Sequence, residues 1–174
     1  MSMELNDKKI TAHDVFLTAL ESTEQGYTNT EEQGKRNHLS GNNFIDKLSE
    51  LLNIHGMKTN WFYEKKLGIK KGGLPHLIRL YSGMEVKEWR NEYIMLAAKE
   101  LLLKTVYPLD QVGKRLGFYG ITTFSKWFRR MEKIAPSKWR RTAKEEQAKQ
   151  DKELLAQIKR NPTLLAQLTN NTSK

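Results

Sequence analysis

The stretch RLGFYGITTFSKWFRRMEKIAPSKWRR, from Arg115 to Arg141, interleaves cations with aromatic rings, and spacing sorts the two kinds. Phe124, Trp127, Phe128 and Met131 stand at i, i+3, i+4 and i+7, the pattern of one helix face turned to a core. Thr122, Ser125, Lys126, Arg129 and Lys133 fall roughly 200° away around the same helix. Short hydroxyl side chains and a lysine near a helix start suit the edges of bases in a major groove, with Ile121 against a thymine methyl. Cations further along suit phosphates, and the helix start adds free N–H groups and a positive dipole end. Such residues suit recognition of a polyanion without covalent chemistry, the plainer alternative being a solvated helix face.

Catalysis finds little support elsewhere. There is no cysteine, and His13, His38, His55 and His76 lie scattered without metal-ligand spacing. GIKKGG lacks the spacing of a phosphate-binding loop, and no buried strand precedes it. No enzyme, cofactor or metal is expected, and no small-molecule ligand is evident.

The charge is placed where such recognition needs it. The 174 residues carry a net +10, divided as −3 over 1–40, +11 over 41–141 and +2 over 142–174. A basic middle favours a polyanionic partner. No apolar run approaches the roughly 20 residues of a membrane span, and MSMELNDKKI has no apolar signal core, so a cytoplasmic protein with no membrane partner is expected.

The elements that must hold these residues read as helices, with no convincing period-2 strand. Phe44, Ile45, Leu48, Leu51 and Leu52 form one stripe, started near Gly41–Asn43 and stopped by Gly56. NWFYEKKLG gives a second helix, capped by Thr59 or Asn60 and ended by Gly68. LPHLIRLY then repeats the spacing of FSKWFRRM, with Leu74, Leu77, Ile78 and Tyr81. Each follows a Gly-apolar pair, Gly68-Ile69 or Gly117-Phe118, so a helix, tight turn, helix unit occurs twice. Between the units runs EVKEWRNEYIMLAAKELLLKT, apolar on two sides in its second half and so packed between two bodies. Pro108 is expected in the first turn of the next helix, and Pro136 in that of a last short one, where Trp139 packs down and Arg140 and Arg141 face solvent or a phosphate. The fold class is all-α: two helix-turn-helix subdomains, about 43–83 and 108–141, on a bridging helix of about 85–104.

The run AKELLLKTVYPLDQVGKRLGFYGITTFSKWFRRMEKIAPSKWRR resembles the DNA-binding domain of the AraC/XylS family of bacterial transcription regulators. The matching residues are Ala98, Leu101, Leu102, Val112, Gly117, Phe118, Phe124, Ser125, Phe128, Pro136, Ser137, Arg140 and Arg141. The resemblance implies that each unit's second helix enters a major-groove segment of double-stranded DNA. Carried over by position, the second reading helix presents Ile121, Thr122, Ser125 and Lys126 to bases, with Arg129 and Arg130 near the backbone. The first presents Gly72, Gly73, Pro75 and His76, with Arg79 near the backbone. Departures concentrate in the first unit: KKGGLPH stands where the family has long side chains, and Glu64 stands where alanine is common. Further along, Ile94 replaces a common arginine, Gly113 an alanine and Lys133 a turn glycine. The first unit is thus expected to grip backbone through Lys70, Lys71 and Arg79, leaving most base reading to the second.

The ends carry less. Residues 1–40 hold one expected helix, TAHDVFLTALESTEQ, with a Thr11–Asp14 capping pair and an apolar patch at Val15, Phe16, Ala19 and Leu20, then a polar linker. This is too short for the ligand-sensing barrel that many family members carry. Residues 142–174 form a charged helical tail with apolar groups at Leu154, Leu155 and Ile158 and again at Leu164, Leu165 and Leu168. Two readings stay open there: a helix folded back or frayed, or one that docks RNA polymerase, another protein or a second copy. Overall the expectation is a sequence-specific transcription regulator without a sensor domain. The alternatives are a helix-turn-helix scaffold turned protein-interaction module, or an accessory DNA-binding protein of a mobile element.

Overall fold

A computed structural model describes residues 9–16 and 40–161, which form seven α-helices and one 3-10 turn with no strand among them. Helix α1, Asn43–His55, starts where the Asn42 side chain accepts from the amides of Phe44 and Ile45, both at 3.1 Å. Helix α2, Asn60–Leu67, is capped by Thr59 and ended by left-handed Gly68. Helix α3, Gly73–Ser82, completes the first unit. The 19-residue α4, Val86–Lys104, is the bridge. Helices α5, Leu109–Arg115, and α6, Ile121–Glu132, form the second unit, and α7, Pro136–Arg160, closes it.

The bridging helix is buried on both sides, as its double apolar pattern requires. Trp89, Tyr93, Ile94, Ala98, Leu101 and Leu102 are nearly or wholly inaccessible. Toward the first unit α4 meets α1 and α3, and toward the second it meets α5 and α7. The core of the second unit is a ring cluster: Phe118 to Trp127 at 5.0 Å, Phe124 to Phe128 at 5.8 Å, and Phe128 to Trp139 at 6.1 Å. Such pairs add about 0.5–1.5 kcal/mol each beyond area burial. At Gly113 an added Cβ would meet the Phe124 Cβ at 3.0 Å, which sets how closely α5 and α6 cross.

The units also touch directly. The Met57 amide donates to the Leu116 carbonyl at 2.7 Å, and Gly56 and Gly117, with φ of 65° and 78°, lie in this seam. A Cβ at Gly56 would overlap the Leu116 carbonyl, and one at Gly117 would lie 2.6 Å from the Met57 nitrogen. Only glycine satisfies both the backbone angle and the approach. Ties across α4 reinforce the arrangement: Trp127 Nε1 donates to Asn91 Oδ1 at 3.0 Å, and Lys99 pairs with Glu132 at 2.8 Å.

Several expectations are corrected. Pro108 is the N-cap of α5 and not a residue of its first turn. The last helix is not short: from Pro136 it continues unbroken for 25 residues, because Thr142–Arg160 contains no glycine or proline to stop it. The apolar stripe of α6 ends at Phe128, where Trp139 closes over it, and Met131 is 38% exposed. The helix expected from Thr11 is, over its described part, a single 3-10 turn, His13–Val15. Both the amide and the hydroxyl of Thr11 donate to Asp14 Oδ2, and Phe16 leaves the turn in an extended conformation with its ring edge-on to Tyr93. Ala19 and Leu20, most of the polar linker, and Leu164, Leu165 and Leu168 lie outside the described residues.

Residues 9–16 join the first unit's core. Ala12 is inaccessible, the Ile10 amide donates to the Tyr81 carbonyl at 3.0 Å, and Trp89 Nε1 donates to the Ile10 carbonyl at 3.1 Å.

Candidate nucleic-acid interface

Helix α6 is positioned by its buried side and presents a polar, basic face on the other. Phe124, Trp127 and Phe128 are buried, and the opposite face carries Ile121, Thr122, Ser125, Lys126, Arg129 and Arg130 around one shallow open concavity. All of these but half-buried Ser125 are exposed. Among the described residues, no ion pair engages Lys126, Arg129 or Arg130. The structure thus brings together every residue assigned to the second reading helix.

The start of α6 is open. Thr123 Oγ1 accepts from the Gly120 amide at 3.2 Å and donates to the Gly120 carbonyl at 2.8 Å, closing the first turn. The first intrahelical bond runs from the Phe124 amide to the Gly120 carbonyl. The amides of Ile121, Thr122 and Thr123 precede it and project from the helix end. Tyr119, fully exposed, stands just outside this end, a residue that reasoning on periodicity passed over because it belongs to no stripe. At the other end Lys133 adopts φ 65°, the left-handed conformation of the glycine it replaces.

In the first unit the corresponding helix, α3, starts differently. Gly72, at φ 82°, and Gly73 offer no side chain for capping, so the cap comes from α2. The buried carboxylate of Glu64 accepts from the amides of Gly72, at 2.9 Å, and Leu74, at 3.3 Å. Pro75 is accommodated because it lies within the first turn, where no intrahelical N–H bond is lost. His76, Lys70 and Lys71 are exposed around this end. Arg79 is exposed too, but it pairs with Glu85; an ion pair this open to solvent is worth about 0–1 kcal/mol and yields readily to a phosphate.

Arg140 and Arg141 separate. Arg141 is exposed. Arg140, expected beside it at solvent or a phosphate, turns inward: its Nε donates to the Leu102 carbonyl at 3.1 Å, satisfying an open carbonyl at the end of α4. Burial holds its pKa below the ordinary arginine value. Nearby, Lys144 donates to the Thr105 carbonyl at 3.1 Å, so both residues pin α7 to the bridge. Beyond this anchor Leu154 and Leu155 are exposed. Among the described residues no cluster could hold a metal ion, and no helix is long and apolar enough to cross a membrane.

Comparison with known proteins agrees with this geometry. Residues 63–142 match a family described as a helix-turn-helix domain. The arabinose operon regulatory proteins of Escherichia coli and Salmonella typhimurium are each 36% identical over 67 residues, 38% of this chain. The match spans 23% and 24% of those relatives, so the chain covers about a quarter of their length. Among solved structures, the DNA-binding domain of AdpA, a global transcriptional factor in complex with a target DNA, superposes with a TM-score of 0.52 at 19% identity. That match covers 59% of this chain and 94% of the other. The C-terminal domain of AraT, a response regulator from Geobacillus stearothermophilus, gives 0.52 at 20% identity over 60% and 88%. These likenesses establish the fold.

Proposed function

We propose that residues 63–142, which match a family described as a helix-turn-helix domain, act as an AraC-type DNA-binding domain, and that the chain binds double-stranded DNA sequence-specifically through α6 and regulates transcription. The observation that carries this reading is the face of α6. Its core side is wholly aromatic, and its exposed side offers only Ile121, short hydroxyls and unpaired cations. Thr122, Ser125 and Lys126 meet base edges in the major groove, and Ile121 meets a thymine methyl. Arg129, Arg130 and Arg141 meet phosphates, which fix register without reading sequence. The first unit grips backbone through Lys70, Lys71 and, once released from Glu85, Arg79; His76 stands on the same exposed face.

The test is a duplex titration across a salt series. The log of the affinity is expected to fall by about 0.9 for each phosphate neutralised per unit of log salt. A slope near zero, or affinity no better than millimolar in a folded chain, would sink the proposal. It would favour the second reading, a protein-docking scaffold, for which the exposed Leu154 and Leu155 on α7 are the supporting observation.

A further inference from the structure

Each amide at the start of α3 is either engaged or missing. Those of Gly72 and Leu74 donate to Glu64 Oε1, that of Gly73 donates to the Lys70 carbonyl at 2.9 Å, and Pro75 has none. A helix N-terminus normally offers free N–H donors and a positive dipole end to an anion. Here a ten-residue helix offers no donor, and a carboxylate underlies the place where a phosphate would come. Glu64 is only 3% exposed and is held on α2, so the cap is a built part of the unit and not a surface side chain passing by.

We infer that Glu64 closes the phosphate site at the mouth of the first unit's reading helix, leaving that unit to hold DNA by side chains alone. The inference rests on the DNA-binding reading above and deepens it. Gly72 and Gly73 remove the side chains that would read bases, and Glu64 removes the backbone donors that would take a phosphate. Lys70 and Lys71, exposed before the helix, and Arg79, exposed along it, remain as point contacts. They tolerate any base sequence, because phosphates carry no sequence information directly. The grip of the chain on a duplex is therefore asymmetric: helix end, dipole and side chains in the second unit, side chains only in the first.

Glu64→Ala and Glu64→Gln in the full chain, titrated with a duplex of fixed sequence over a salt series, provide the test. Glu64→Ala uncovers the amides of Gly72 and Leu74. It is expected to bind several-fold tighter at about physiological salt, with a log–log slope steeper by about 0.9, one more phosphate. This gain comes although loss of the cap lowers the unfolding temperature, and loss of stability alone does not raise affinity. Glu64→Gln keeps an acceptor in place and removes the charge, so it is expected to bind tighter by a smaller factor with an unchanged slope. A folded Glu64→Ala with the parent's affinity and slope overturns the inference. Should that variant not fold, a Glu64→Gln that binds no tighter than the parent overturns it. A parent chain without measurable duplex affinity overturns the DNA-binding reading, and the inference with it.

Discussion

Helix α6 opens on three amides ahead of its first intrahelical bond and on an exposed Ile-Thr-Thr, whereas α3 opens on two glycines and a proline, its donors engaged by Glu64. The helices around them follow one plan: a short helix, a left-handed glycine at Gly68 or Gly117, and a second helix with the same apolar spacing. The difference teaches that how a helix is packed and what its exposed start offers are separable. Buried Leu74 and Ile78, with Tyr81 packed against the core, keep α3 in place with only glycines at its start, just as Phe124, Trp127 and Phe128 keep α6 in place with Ile121 and Thr122 exposed at its own.

The largest expected effect tests whether the two units are energetically separate at all. Phe124→Ala removes a wholly buried ring from the second unit and is expected to cost about 3–5 kcal/mol. Because the Met57–Leu116 bond and α4 join the units, denaturant unfolding should show one transition in which probes in both units coincide. Survival of the first unit's amide protection after the second has melted would break the picture of a joined body.

The seam comes next. Gly117→Ala places a Cβ against the backbone of Gly56 and Met57 at a φ that side chains rarely adopt. The backbone angle alone is expected to cost about 1–3 kcal/mol, and the overlap adds to it. Calorimetric melting should show a larger fall for Gly117→Ala than for Gly41→Ala, which shares the same kind of φ but has no backbone near its added Cβ.

Two substitutions on α6 sharpen the contrast between reading and gripping. Lys126→Ala is expected to lose about 1–3 kcal/mol of discrimination between preferred and altered duplexes, while Arg129→Ala weakens all duplexes alike. His76→Ala, in the first unit, should change preference hardly at all. A shift in preferred bases on replacing His76 would restore a reading role to α3.

The smallest effect concerns Lys133. Its left-handed conformation is strained for a side chain, so Lys133→Gly is expected to raise stability by up to about 1 kcal/mol, measured as a higher denaturant midpoint.

Much of this was legible in the sequence. The 3.6-residue stripes placed both second helices and the bridge, and Gly56 and Gly68 marked the ends of α1 and α2, because amphipathic spacing and left-handed turns are local properties. The partition of α6 into an aromatic inside and a cationic outside followed from the same spacing. What local pattern could not show was where a side chain finds a partner from another element. Glu64 was visible as a departure from a small residue, but its bonds to amides eight and ten positions away depend on how α2 and α3 meet. Arg140 looked like a surface cation until α7 set it against the Leu102 carbonyl. The segment at residues 9–16 read as a separate helix because Ile10 finds its partners 71 and 79 residues away, at Tyr81 and Trp89. Lys133 shows the converse: its place in the pattern announced a left-handed turn despite the wrong residue type.

The asymmetry of the two units is tested most directly by selecting bound duplexes from a random library with the full chain at about physiological salt. The account predicts enrichment of a single short motif, the footprint of α6, flanked by sequence to which the protein is indifferent. Two motifs one helical turn apart, each needed for retention, would contradict it, since α3 would then be reading bases that its glycines and Glu64 leave it no means to read.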